Sequence, residues 1–444
     1  MGRLFGTDGI RGVANVDLRP TLAFALGRAV AHGLAASSGA IVVGQDTRRS
    51  CDMFVAAIAA GAMSMGTDVH AVGVIPTPGL AFLASEGEFA AGVMVSASHN
   101  PAEDNGLKVL AANGQKLPDE REDELEELIW RSEELGGAPA ATLGRTVDAT
   151  ALVERYVRQR SELARSVGAG GLRIVFDGAN GAASSVGPAI LRATGADVTP
   201  IHDRPDGANI NVASGAIAPA SLAAEVVAAG ADVGFAVDGD ADRLVAVDAS
   251  GEIVDGDRVL GILALERLAR GALPGNVLVV SVLSNGGLAR AVEAAGGRLV
   301  RTPVGDKYIL EGMEVAQAGL GGEKSGHVIV REHSASGDGI VTAIEVLRVM
   351  VEQGKPLADL AAAIPMFPQE QIAVRVRHKE QWEGDPAIVA AIRDAEARLG
   401  PVGRVLVRPS GTEPALRVMV EGEDAPLVAE LAAAIASVAK ERLD

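Results

Sequence analysis

A single cysteine, Cys51, among 444 residues excludes an intramolecular disulfide and any metal site built from several thiolates. A lone cysteine of this kind reads as a small buried hydrophobe. Aromatic residues are scarce as well, at 3% of the chain, so Ala, Val, Leu and Ile must fill the cores. Long hydrophobic runs are missing: Arg, Asp or His interrupts each one before it could span a bilayer, and Met1 to Gly9 lacks the apolar stretch of a signal peptide. The expected location is therefore the cytoplasm. A basic excess is missing too. The net charge of -18 disfavours a nucleic-acid or anionic-membrane surface, while a small anionic ligand remains compatible if a few Arg and Lys converge.

The chain that remains is 48% hydrophobic and 22% charged, the composition of a folded protein, and its length predicts about three domains, within a range of two to four. An apolar strand, a Gly/Asp-rich turn and an Ala/Leu-rich helix recur three times, the sequence form of βα units on a mixed or parallel sheet. The strand at 41–46 leads to a helix near 52–65, the strand at 174–177 to one near 183–194, and the strand at 277–281 to one near 287–295. An acidic helix near 119–135 and the Gly/Ala/Pro stretch 136–144 end a first α/β domain, 1–150. A second follows over 151–251 and a third over 252–367. Pro365 and Pro368 bracket the last break. Beyond it, 368–444 predicts a smaller α+β domain with strands at 372–377, 404–408 and 415–421 and a helix near 424–441.

Four segments carry chemistry. Ser98 follows the apolar run Gly92 to Val95 and precedes His99-Asn100-Pro101, which places its hydroxyl on an accessible strand-end turn; alone, the same residues fit a plain turn. Asp238, Asp240 and Asp242 follow the apolar strand 233–237. Three carboxylates so close repel one another unless a divalent cation neutralises them, and i, i+2, i+4 spacing needs a loop or extended segment to converge. An EF-hand is excluded, since Arg243 stands where its loop needs Gly and Ala249 where it needs Glu. Mg²⁺ fits better, with a solvated acidic turn as the alternative. Arg408, Ser410, Gly411 and Thr412, with Arg417 beyond, offer hydroxyls, backbone N–H groups and guanidinium forks to a phosphate dianion. The Gly-rich stretch holding Glu323, Ser325 and His327 suits sugar hydroxyls. Arg11, Lys108 and Lys307 lie beside glycines, suggesting cations on tight loops.

In this order and at these separations the segments resemble the α-D-phosphohexomutase superfamily over essentially the whole chain. The stretches Phe5 to Gly12, Val304 to Tyr308 and Arg408 to Glu421 are most similar to its bacterial phosphoglucosamine mutase branch. The resemblance implies three related α/β domains and a smaller fourth domain around a central cleft. It implies that Ser98 is phosphorylated and that Asp238, Asp240 and Asp242 hold Mg²⁺ together with the phosphoserine. Glu323, Ser325 and His327 would read the sugar, with Lys307 also facing substrate. Arg408, Ser410, Gly411, Thr412 and Arg417 would hold the distal phosphate. Arg11, Lys108, Arg243 and His327 would surround the transferring group, Lys108 as a proton carrier. The implied reaction interconverts glucosamine 6-phosphate and glucosamine 1-phosphate through a hexose 1,6-bisphosphate, feeding amino-sugar and cell-wall precursor synthesis. A homodimer is compatible with it.

Departures from the branch's usual pattern are Lys324 for Gln, Lys307 for Arg, Gly286 for Leu, and the segment 213–217. A cation at 324 would disfavour a protonated 2-amino group, which keeps a phosphomannomutase/phosphoglucomutase as the nearest rival. A haloacid-dehalogenase-type phosphatase using Asp238 and a non-catalytic sugar-phosphate-binding protein are the other readings.

Overall fold

The computed structural model describes residues 3–6, 8–35, 39–410 and 414–444. The chain divides into two compact units, Met1–Leu283 with Ala295–Ala363, and Ser284–Ala294 with Ile364–Asp444. Within the first lie three mixed sheets; within the second lies one antiparallel sheet of three strands. The expected class, three α/β domains with mixed sheets and a smaller C-terminal α+β domain, is found. Among the described residues, no helix is long and apolar enough to cross a membrane.

The three mixed sheets repeat one arrangement. In the first, Ala40–Gln45 pairs in parallel with both Val69–Val74 and Phe89–Val95, and the chain then reverses so that Asp104–Ala111 runs antiparallel to Phe89–Val95. In the second, Arg173–Asp177 pairs in parallel with Asp197–Ile201 and Val233–Val237, and Leu244–Asp248 returns antiparallel to the latter. The third pairs Val277–Ser281 in parallel with Arg298–Thr302 and Leu320–Gly322, after which Val328–Val330 returns antiparallel. The central strands Val233–Val237 and Val277–Ser281 are buried at every residue, as strands covered on both faces require. Each reversal is a loop at the carboxyl end of a parallel strand, where open α/β sheets place their ligands. Those three loops are 96–103, 238–243 and 323–327.

The first two helices anticipated after these strands are Cys51–Ser64 and Val186–Arg192. The third, Gly286–Ala294, belongs to the compact unit of the C-terminal sheet, whereas the strand before it, Val277–Ser281, belongs to the first unit. The acidic helix is shorter than its composition suggests, ending at Trp130 rather than near 135. In the second unit, Gln369–Arg375 and Arg404–Pro409 flank Ala415–Glu421, and the helices Pro386–Leu399 and Ala425–Leu443 begin at Asp385 and Asp424, whose carboxylates accept from their first-turn N–H groups.

Candidate active site

Residues from all three reversal loops meet in the first unit. Loop 238–243 lies against loop 323–327: Arg243 and His327 form an isolated antiparallel bridge, and Leu244 N–H donates to Gly326 C=O at 3.0 Å. A Cβ at Gly326 would lie 2.1 Å from the Leu244 carbonyl oxygen, so this approach excludes a side chain. Loop 238–243 also lies against loop 96–103, where a Cβ on Gly239 would stand 2.5 Å from the Ser98 carbonyl oxygen.

Ser98 is fully buried, with φ of +50°, which corrects the expectation of an accessible turn. The physical reason is the neighbouring Asp loop, which covers the strand end. Ser98 Oγ donates to Asp238 Oδ2 at 2.5 Å and lies 3.2 Å from His99 Nδ1. Asp238, Asp240 and Asp242 are buried, and one oxygen of each lies within 4.8 Å of the others. Burial, then Asp242 and Asp240, push Asp238 up to about 8. Burial also acts upward on Asp240 and Asp242, but Lys108 brings Asp240 below the usual carboxylate range and His327, Lys108 and Arg243 bring Asp242 lower still. Burial, reinforced by the positive charges of Arg243 and Arg11, pulls His99 down to about 4.

Lys108 lies on the strand Asp104–Ala111 rather than on a tight loop, opposite Met94, and is 1% exposed. Its Nζ reaches Asp240 at 2.8 Å, Asp8 at 3.1 Å and Asp242 at 3.9 Å. Arg11, likewise on a strand, Ile10–Val13, pairs with Asp8 and donates to Asn100 Oδ1 at 3.0 Å. Arg243 Nε is 3.8 Å from Asp242 Oδ1. His327 is buried with Nδ1 3.6 Å from Asp242 Oδ2; burial lowers its pKa, but Asp242 and Asp306 together raise it. The structure thus brings Ser98, Arg11, Lys108, Arg243, His327 and the three aspartates together.

Several other anticipated residues have partners of their own. Glu323 Oε1 accepts from Gly305 N–H at 3.0 Å, and Ser325 is exposed. Lys307 lies in the first turn of the helix Asp306–Ala316 and pairs at 2.5 Å with Asp119 of the acidic helix. In the second unit, Arg408 and Arg417 are direct cross-strand partners and Ser410 is buried beside them. Gly411 and Thr412 fall outside the described residues.

Sequence reasoning missed several members. Thr77, at the start of the helix Thr77–Ser85, donates its hydroxyl to Asp240 Oδ2 at 2.6 Å and its N–H to Asp240 C=O at 2.9 Å. Nothing in its local sequence signals this. Lys116 bridges Asp8 and Asp306, and although burial acts upward on Asp306, the Lys116 ammonium draws it to about 2. Asp8 and Asp306 sit one to three positions from cations already singled out, so their proximity to a charged site was a usable signal.

The aspartate trio fits a hard divalent cation. Asp240 Oδ1 and Asp242 Oδ1 are buried without a hydrogen-bond partner, a state that costs free energy unless a cation completes it. Asp238, Asp240 and Asp242 would hold the ion.

All four domains that define the phosphoglucomutase/phosphomannomutase family match the chain in sequence order: alpha/beta/alpha domain I over residues 2–136, domain II over 154–251, domain III over 255–367 and the C-terminal domain over 372–438. Over 442 residues the chain is 50% identical to the phosphoglucosamine mutase of Moorella thermoacetica, covering 99% of each. Over 448 residues it is 49% identical to that of Symbiobacterium thermophilum, covering 100% of each. A crystal structure of a phosphoglucomutase/phosphomannomutase family protein from Burkholderia thailandensis superposes with a TM-score of 0.83 at 26% identity, covering 99% of this chain and 97% of that one. With every domain of the family present in order and relatives this similar end to end, the chain belongs to the phosphohexomutase superfamily, within its phosphoglucosamine mutases.

Proposed function

We propose that the protein interconverts glucosamine 6-phosphate and glucosamine 1-phosphate in the cytoplasm, with Ser98 as phosphoryl carrier. The observation that carries this reading is the Ser98 hydroxyl seated 2.5 Å from Asp238, inside a buried carboxylate trio ringed by Arg11, Lys108 and Arg243. A phosphorylated Ser98 passes its phosphoryl group to the sugar O1, giving a 1,6-bisphosphate. The serine Oγ then takes the 6-phosphoryl group, leaving glucosamine 1-phosphate. Arg11 and Arg243 hold the equatorial oxygens of the moving group, a role that needs fixed positive charge where negative charge spreads. Lys108 moves the proton on the sugar oxygen, and its contacts with Asp240 and Asp8 keep the ammonium in place between transfers. Glu323, Ser325 and His327 orient the sugar, and Arg408, Ser410 and Arg417 hold whichever phosphate is not reacting. Asp238, Asp240 and Asp242 would hold Mg²⁺, which would supply charge neutralisation for the phosphoryl oxygens.

The test is turnover of glucosamine, glucose and mannose 6-phosphates by the purified protein, with mapping of acid-stable phosphate to Ser98. Preference for glucosamine 6-phosphate supports the reading. Preference for glucose or mannose 6-phosphate would assign the phosphomannomutase/phosphoglucomutase activity instead, and no turnover of any of the three would remove the mutase reading.

A further inference from the structure

Beneath the Ser98 loop lies an arginine to which sequence analysis assigned no role. Arg48 is 2% exposed, and every N–H of its guanidinium is engaged. Nε donates to Asp46 Oδ2 at 2.9 Å. One terminal nitrogen donates to the carbonyls of Pro101 and, at 3.0 Å, Asp104; the other donates to those of Ser98 at 3.0 Å and Asn100 at 2.8 Å. Three of the five donors thus converge on the loop 96–103 and a fourth on Asp104, the first residue of the strand that follows it. Asp46 is held in turn: its carboxylate accepts from Arg48 N–H at 2.9 Å, Cys51 Sγ at 3.2 Å and Ser96 Oγ at 2.7 Å. Ser96 Oγ closes the circuit by accepting the Ser98 N–H at 3.0 Å. From the turn region between the strand Asp197–Ile201 and the helix Ala220–Ala229, Asn211 Nδ2 donates to the same two carbonyls, Ser98 at 2.9 Å and Asn100 at 3.1 Å.

The N–H and the C=O of Ser98 are therefore both fixed, and the C=O is gripped twice. This matters because Ser98 has a φ of +50°, a conformation that a non-glycine residue keeps only when its surroundings overdetermine it. A buried ion pair is a poor source of net stability compared with apolar packing. Its merit here is geometric: a planar fork aims fixed donors at several acceptors at once, which an ammonium cannot do.

We propose that Arg48 is a positioning residue for phosphoryl transfer, acting with Asn211 through the carbonyls of Ser98 and Asn100 to hold the serine hydroxyl in line with Asp238. The inference rests on the reading of Ser98 as phosphoryl carrier. Burial and protein oxygens occupy the whole Arg48 guanidinium and leave no donor for a sugar, so its effect belongs to the transfer step and not to sugar binding.

The experiment compares full-length Arg48→Lys, Asn211→Gly and the double variant with wild type. Glycine accepts the φ of +60° at position 211. Three quantities are measured: kcat and KM for glucosamine 6-phosphate well below the melting temperature, melting temperature, and amide hydrogen exchange by segment. Arg48→Lys is expected to lower kcat about 100-fold, as small misplacements of reacting groups do, with KM changed less than about threefold. Exchange should quicken in 96–106 while the strand Val233–Val237 keeps its protection. The double variant should fall short of the product of the single effects, because both side chains act on the same carbonyls. A kcat within about threefold of wild type in folded Arg48→Lys would overturn the proposal. Should that variant fail to fold, Asn211→Gly decides by the same split of kcat from KM. Exchange needs no turnover. If wild-type protein turns over none of the sugar phosphates, the functional reading fails; localised exchange would then still uphold the clamp, and exchange spread over the unit would overturn it.

Discussion

Ser98 Oγ stands 2.5 Å from Asp238 Oδ2 although 140 positions separate the two residues in the chain. Both lie in loops that follow a parallel strand and precede its antiparallel return, one in the first sheet and one in the second. The same position in the third sheet carries Glu323 to His327. Repetition of one sheet arrangement thus delivers a hydroxyl, a carboxylate trio and the loop proposed to read the sugar from three distant stretches of sequence.

The Ser98→Ala variant should lose mutase activity by about three orders of magnitude or more, because a methyl group carries no phosphoryl. Stability should fall as well. Ser98 is buried and its hydroxyl is a hydrogen-bond donor to Asp238, so the change removes a bond worth about 1–3 kcal/mol when its partner is left unsatisfied. Steady-state kinetics and a thermal melt of the same preparation check both parts; wild-type turnover would eliminate the phosphoserine route.

For Asp240→Asn, repulsion among three carboxylates would suggest a more stable metal-free protein. Lys108 reverses that sign. Its buried ammonium has Asp240 as its shortest partner at 2.8 Å, with Asp8 at 3.1 Å and Asp242 at 3.9 Å, and removing one member of a buried pair leaves the other undercompensated. The variant should melt lower than wild type in chelator and bind Mg²⁺ at least about tenfold more weakly by calorimetric titration. Higher melting in chelator would show that repulsion dominates the trio.

These two cases show what was legible in the sequence. Asp238, Asp240 and Asp242 announce themselves through spacing after an apolar strand, and the βα repeats announce the α/β class, because both signals are local. The burial of Ser98 was not legible, since what covers it, the loop around Gly239, is a tertiary neighbour. Lys108 was read as a loop cation from its glycine neighbour, but Gly106 lies within the same strand and permits close approach to the Ser96 carbonyl. Thr77 reaches Asp240, and Arg48 reaches the Ser98 loop, across long stretches of sequence, for which no local pattern exists.

Acid sensitivity should report on Glu345. This buried side chain on the helix Gly339–Gln353 faces Arg267 at 2.7 Å, Arg348 at 3.2 Å and His333 at 3.6 Å. Burial acts upward on its pKa, yet His333 and the two guanidinium groups outweigh it and bring the carboxyl from 4.5 down to about 2. A depressed carboxyl stabilises the fold fully above its unfolded value and loses that contribution as pH falls from about 4.5 towards 2, on the order of 3 kcal/mol in all. Glu345→Gln should therefore melt lower than wild type near neutral pH, with the two melting curves converging below about pH 3. A difference in melting temperature that does not change with pH would show that Glu345 matters by packing alone.

The hairpin proposed to hold the distal phosphate gives the last prediction. Arg408 and Arg417 are in direct register on the strands Arg404–Pro409 and Ala415–Glu421, so their side chains leave the same face of the sheet close together. A phosphate dianion between them would make charge-assisted contacts with both. A guanidinium binds such an anion through paired N–H groups in a fixed plane, whereas an ammonium acts as a point charge. Arg408→Lys should accordingly raise KM for the monophosphate by about tenfold, the scale of one lost charge-assisted hydrogen bond. Because the same grip retains the bisphosphate between its two transfers, the variant should also release hexose 1,6-bisphosphate into solution and depend more steeply on added bisphosphate. Steady-state kinetics with and without added bisphosphate, together with quantification of released bisphosphate, test this. A variant with wild-type KM and no released bisphosphate would show that Arg408 does not hold the distal phosphate.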